Sequence, residues 1–224
     1  MDLFAVHLAD GVLAWPWLTG GGAVALALLA AARGPINDDE IPRIGILTGA
    51  LFVASQLHLP VAIGSVHLLL NAIAGILLGR FVGIALLVAL GFQALLFGHG
   101  GLTTLGLNVA VMGVPAILAA LLFVLARRAI RRSPSRAGGV GAAIGAATSA
   151  LTVALNGSVI WLGLENGGRE AALAVMLLHL PVIGVEAVGT GVIVAYLAKV
   201  KPEWLKLPVD QSSTGVISSN GTSH

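Results

Sequence analysis

Apolar residues run through this chain in stretches too long and too uniform for a soluble helix face or a half-buried strand. From Gly83 to Phe97 the only strongly polar residue is Gln93, so neither a 3.6-residue nor a two-residue alternation divides the segment into a wet and a dry side. Reading the chain the same way, with Arg, Lys, Pro and Gly as breaks, predicts spans at roughly residues 18–33, 43–59, 66–80, 81–97, 104–126, 138–163 and 171–198. The runs are rich in Leu, Ala and Gly and lack strand alternation, which favours helices over a membrane β-barrel. The expected fold is an all-α, polytopic membrane bundle of about seven transmembrane helices.

The second to fourth runs are short for a full crossing. Some of them must include non-helical backbone, and Leu59-Pro60-Val61-Ala62-Ile63-Gly64 is the candidate, expected to be buried in protein as a site wall. Small residues four apart, Gly45 and Gly49, then Gly75, Gly79 and Gly83, suit close helix packing in lipid.

Composition agrees with lipid as the solvent. Residues are 57% hydrophobic and 10% charged, and the mean hydropathy is +0.98, which leaves too little polar surface for a water-soluble globule. The net charge of +2 reflects where the basic residues fall. Arg33, Arg43, Arg80, Arg127, Arg128, Arg131, Arg132, Arg136, Lys199, Lys201 and Lys206 lie in alternate loops, with Arg169 on the opposite side. The positive-inside rule then puts the N-terminus outside and the C-terminus inside, and it explains the basic residues without nucleic acid. Residues 1–206 read as one transmembrane domain and 207–224, polar and rich in Ser, Thr and Gly, as a disordered cytoplasmic tail. No basic n-region precedes the first span, so no cleavable signal peptide is expected.

With no cysteine, a transition metal would have to be held by nitrogen or oxygen. Under the predicted topology His7, His58, His67, His99 and His179 all lie toward the outer face, and only His224 lies inside. Four segments concentrate the polar chemistry. His7-Leu8-Ala9-Asp10-Gly11 precedes the interfacial Trp15-Pro16-Trp17. His67 and Asn71, four apart, would share a helix face. Phe97-Gly98-His99-Gly100-Gly101-Leu102-Thr103-Thr104 joins two spans, flanked by Gln93 and Asn108. His179 and Glu186 lie seven residues apart, two turns along one helix, and form a candidate structural or transport pair inside the membrane.

Together these segments resemble the CbiM/NikM family, the substrate-capture components of energy-coupling-factor cobalt and nickel transporters. The resemblance runs from His7 to Trp204 and is most distinctive at Phe-Gly-His-Gly-Gly-Leu-Thr. It implies a square-planar set of four nitrogens: the amine of the chain start, the backbone nitrogen and imidazole of a histidine at the second position, and a second imidazole. The imidazoles map onto His7 and His67. Fused chelate rings of that kind impose a plane, which suits Ni(II), and require protons to leave. Here the histidine is seventh, which separates it from the amine; a start at Val6, read as Met from a GTG codon, removes the conflict and makes residues 1–5 an annotation artefact. Asp10, Gln93, His99 and Asn108 are candidates to orient the ligand rings. Nickel is favoured over cobalt, since cobalt-type members tend to carry aspartate where His99 stands.

The chain has no nucleotide-binding Gly-Lys-Ser/Thr loop, so uphill import implies a coupling transmembrane subunit, ATPase subunits and a small accessory membrane subunit. The expected location is the cell (inner) membrane. The chain is not expected to be an enzyme, nor to carry a cofactor beyond the transported Ni2+ or Co2+. The rival readings are an intramembrane metal-dependent enzyme, against which the lack of His-Glu-x-x-His counts, and a passive metal channel.

Overall fold

The computed structural model describes residues 7–38, 40–61 and 64–207. Their elements run α1 (Trp15–Ala31), α2 (Glu40–Ala54), β1 (His58–Val61), β2 (Gly64–His67), α3 (Asn71–Leu78), α4 (Val82–Phe97), α5 (Leu105–Arg132), α6 (Ala137–Gly163), α7 (Gly168–Leu178) and α8 (Leu180–Val200), with 3-10 turns at Gly79–Phe81, Pro134–Arg136 and Pro202–Leu205. By length and composition, Asn71–Phe97, Leu105–Ile130, Ala137–Gly163 and Gly168–Val200 are long and apolar enough to cross a membrane, and Trp15–Ala31 is a shorter apolar helix. The chain is a multi-pass membrane helical protein.

Several boundaries differ from the sequence reading, each for a local reason. The run expected to be helical over 43–59 stops at Ala54, and His58–Val61 pairs antiparallel with Gly64–His67, joining His58 to His67 and Pro60 to Ser65. Pro60 lacks the N–H a helix needs, so the non-helical segment is a hairpin; residues 62 and 63 lie outside the described residues. The helix expected from residue 66 starts only at Asn71, because Leu70 is left-handed at φ 54°. His67 therefore ends a strand and does not share a helix face with Asn71. Beyond residue 126, α5 continues through its arginines to Arg132, since long cationic side chains can reach back to water from a helix that leaves the apolar layer. The last run is interrupted at His179, just before Pro181.

Gly79, at φ 55° and ψ −122°, breaks the stretch between α3 and α4 and sends the chain back. Both ends of this pair, His67 before α3 and Gly100 after α4, meet His7. The turn between them lies at the opposite end, where the Arg43 guanidinium donates to the carbonyls of Leu77 (2.6 Å) and Trp204 (2.7 Å). There too, Arg80 donates to Arg33 O and Pro35 O. Every residue of the eight-residue α3 is buried, and a Cβ at Gly75 would overlap the backbone carbonyl of Ala116 on α5, a close approach that only glycine allows. Leu69, Ala74, Leu86, Val109 and Val153 form the central core. Leu8 and Leu13 pack at the histidine end against Leu107, Val111, Ile160 and Val175.

Candidate metal-capture site

Residues 7–14, ahead of α1, form a strap laid into the bundle. Leu8 is 4% exposed, and its backbone is held from both sides by one amide: its N–H donates to Asn108 Oδ1 at 2.9 Å, and its carbonyl accepts from Asn108 Nδ2 at 3.0 Å. Thr104 Oγ1 donates a second bond to the same carbonyl at 2.6 Å. Inside a membrane protein each of these backbone groups would be costly to leave bare, so Asn108 on α5 substitutes for the strand the strap does not have. Gly11, at φ 77°, then turns the chain toward α1.

Asp10 anchors the strap a second time. Its carboxylate accepts from the backbone N–H groups of Leu102 (3.1 Å), Thr103 (2.9 Å) and Thr104 (3.3 Å), and from the Thr103 hydroxyl. These donors lead into α5, whose own N-cap, Thr104, makes no side-chain capping bond. Asp10 instead ties down the loop that leads into α5, reaching Thr104 from 94 residues away, with its negative charge near the positive end of the helix. The Thr103 hydroxyl, followed by the backbone donors, holds the Asp10 carboxyl below its usual pKa against the opposing pull of desolvation. A Cβ at Gly101 would overlap the carboxylate, and one at Gly100 would come within 3.4 Å of His7 Cβ. The glycines of this loop leave room for the strap.

These two anchors place His7 under the loop, 6% exposed. Its ring stacks on that of His67 with centroids 4.6 Å apart and planes 16° from parallel. His67, itself 7% exposed, has Nδ1 3.1 Å from its neighbour's carbonyl at Leu68. Both ring nitrogens of His7 are buried without a hydrogen-bond partner among the described residues, an expensive arrangement unless something else engages them. Burial drives the His7 pKa well below its ordinary value, and the nearby imidazoles of His67, then His99 and His179, push it the same way. That shift favours the neutral imidazole, which keeps one ring nitrogen lone pair free, the form a metal requires.

The remaining predicted residues are distributed around this pair. His99 is half-buried; its N–H donates to Gln93 O, and its ring lies 6.4 Å from that of Phe97. Gln93 donates from Nε2 to Ser55 Oγ on the turn after α2. Asn71 Nδ2 donates to Met112 O at 3.1 Å and Thr152 Oγ1 at 2.8 Å. His179 and Glu186 are both buried but bond to different partners: His179 Nδ1 lies 2.7 Å from Val175 O, whereas Glu186 accepts from the backbone before α3. His58 is described through its strand pairing alone. Among the described residues no three His, Asp or Glu side chains converge as a ready metal cage.

Sequence reasoning did not find Thr104 as a second support for Leu8, nor the joint at Leu69 and Leu70. Thr103-Thr104 directly before an apolar helix carried a capping signal. Nothing in the sequence signalled the carboxylate that ties this loop down.

The strap, tied by its backbone into a helical membrane bundle, thus sets one buried imidazole beside a second. Residues 7–204 match the family described as CbiM, cobalt uptake substrate-specific transmembrane region, and the chain belongs to that family. A Haemophilus influenzae protein, provisionally named for metal transport, is 33% identical over 201 residues, covering 88% of this chain and 96% of its own length. An Archaeoglobus fulgidus protein, provisionally named a fused nickel transport protein NikMN, is 32% identical over 209 residues, covering 88% of this chain and 67% of its own. A crystal structure of a truncated transition metal transporter superposes with a TM-score of 0.65 at 26% identity, over 86% of this chain and 98% of that one.

Proposed function

We propose that this chain is the substrate-binding membrane subunit of an ATP-driven energy-coupling-factor importer of a divalent transition metal, nickel first and cobalt second. The observation that carries the reading is the His7–His67 pair. Two buried imidazoles lie in contact, the first, His7, with no hydrogen-bond partner for its nitrogens among the described residues and borne on a strap whose docking depends on two residues of the bundle, Asn108 and Thr104, and one loop. A metal–nitrogen bond lies in the plane of the imidazole, so the two rings swing out of their stack to aim lone pairs at one ion.

The chain's own part is to bind, orient and surrender the ion, without catalysis and without a resident cofactor. The names of the relatives support a nickel or cobalt cargo, and the fused form of one of them supports close work with other transport subunits. A coupling transmembrane subunit, ATPase subunits and a small accessory membrane subunit complete the importer. In the cell (inner) membrane the chain crosses seven times, counting α7 and α8 as one crossing, with its N-terminus outside and its C-terminus inside. The gathering of Arg43, Arg80 and the Trp204 turn at the end opposite His7 supports that orientation. Nickel rests on a square-planar chelate closed by a free amine at the residue before His7, hence on a start at Val6 read as Met. Residues 1–6 lie outside the described residues, and the family match begins at His7.

Proteoliposomes holding this chain with its coupling and ATPase subunits test the reading. Accumulation of nickel that needs both ATP and His67 is expected. Equal uptake without ATP would replace the importer by a passive channel.

A further inference from the structure

Among the described residues Glu186 is the one buried carboxylate, at 2% exposure, and it belongs to neither anchor of the strap. One of its oxygens, Oε1, accepts from two consecutive backbone N–H groups, Leu69 at 2.6 Å and Leu70 at 2.9 Å. The other, Oε2, has no hydrogen-bond partner among the described residues. A carboxylate is expensive at this depth, so its two-point grip on backbone needs an explanation in what that backbone does.

The gripped joint links the strand that ends at His67 to α3. Leu70 is left-handed at φ 54°, a conformation an L side chain resists and which persists only where surroundings over-determine it. In it the N–H groups of Leu69 and Leu70 point the same way, toward α8, and Glu186 receives both. The next residue is fixed as well, with the Asn71 amide bonded to Met112 O and Thr152 Oγ1. The far end of α3 is held by Arg43, which joins Leu77 O to Trp204 O just beyond α8. Thus α3 is tied at one end directly to α8 and at the other to the turn that follows it.

We propose that Glu186 is a positioning residue for metal capture: by clamping the Leu69–Leu70 amides it fixes where His67 presents its ring to His7, and it makes that placement follow α8. The proposal rests on the reading of His67 as a metal ligand. Nothing in it requires Glu186 to touch the ion. What matters is an acceptor oxygen at the right reach, so Gln should replace Glu, whereas Asp, one methylene shorter, and Leu should not.

The test is equilibrium Ni2+ binding to the purified full chain in detergent, with the visible absorption of the bound ion as a readout of ligand geometry. The variants are Glu186→Gln, Glu186→Asp, Glu186→Leu and His67→Ala. Glu186→Gln is expected to stay within about threefold of the parent with the same spectrum, while Glu186→Asp and Glu186→Leu weaken binding by ~10–100-fold and shift the band, with unfolding midpoints of the ion-free Asp and Gln variants alike. If the Leu variant fails to fold, the Asp and Gln variants still carry the comparison. Binding that depends on His67 but is equal in all folded Glu186 variants, or weakened equally by Gln and Asp, overturns the clamp and leaves the capture reading standing. Binding indifferent to His67 overturns both.

Discussion

Asn108 grips Leu8 by both polar groups of its backbone, at 2.9 and 3.0 Å, and so decides where His7 sits one residue earlier. A side-chain amide is the smallest group able to mimic one rung of a sheet, offering a donor and an acceptor side by side. Asn108→Leu removes both and leaves a buried N–H of Leu8 unsatisfied, at a cost of ~1–3 kcal/mol. Hydrogen exchange at Leu8 should rise sharply and nickel affinity should fall at least about tenfold. Unchanged protection at Leu8 would show that the strap is held by something else.

Asp10 ties down the loop that leads into α5, and its contribution is that of an exposed hydrogen-bonded carboxylate. Asp10→Ala should lower stability by ~0.5–1 kcal/mol, the lower part of the range for lost hydrogen bonds, and Asp10→Asn by less, since an amide oxygen still accepts. Thermal unfolding of the detergent-solubilised variants measures this. An Ala variant as stable as the parent would mean that the donors of Leu102 and Thr103 are served by water.

Acid should loosen the strap in two stages. The His7 pKa is lowered in the folded chain, so the unfolded or undocked form binds more protons; docking is therefore at full strength above the ordinary histidine pKa of about 6.5 and weakens as pH falls below it. The Asp10 pKa is also lowered. Its contribution is present above the ordinary value of 3.8 and is lost as pH falls through the lower folded value. Metal capture follows the first stage, because protons compete directly for the ring. Nickel titrations at pH 7.5, 6.5 and 5.5 check the direction, and affinity that rose toward acid would contradict it.

Gly75 and Gly49 look alike in sequence and differ in the fold. A Cβ at Gly75 would overlap the Ala116 carbonyl, whereas one at Gly49 meets nothing within 4 Å. Gly75→Ala should cost ~1–3 kcal/mol, as overpacking does, and Gly49→Ala should be neutral or slightly stabilising because Ala is the better helix former. Unfolding midpoints of the pair decide between this and a generic small-residue effect.

The helices were legible because hydropathy is a local property that each span carries in its own residues. Every predicted run contains a helix, and the His7, His67 and His99–Asn108 segments do meet at one end of the bundle. Long-range satisfaction was not legible. No window around Leu70 says that it is left-handed, or that its N–H is received by Glu186, 116 residues away. Likewise Asp10 reads as an interfacial acid until its bonds to the loop before α5 are seen. Gln93 was expected to orient a ligand ring because it is polar in an apolar run, and a polar residue in such a run needs some partner; the sequence could not say that its amide would donate to Ser55.

The start of the chain makes a separate prediction. Protein beginning with Met at position 6 should bind nickel in a square-planar manner, with the narrow visible band of a low-spin ion, and the 224-residue form should bind more weakly, without that band. Intact mass of the natively expressed protein gives the physiological form. A mass that includes Met1 to Ala5 would remove the relocated start.

The central claim is that His7 and His67 hold one ion together. Elemental analysis of nickel bound to purified protein, for the parent, His7→Ala and His67→Ala, measures it directly. One nickel per chain in the parent, and loss of it in each variant, is the predicted result. A full equivalent retained after removal of either imidazole would contradict the account.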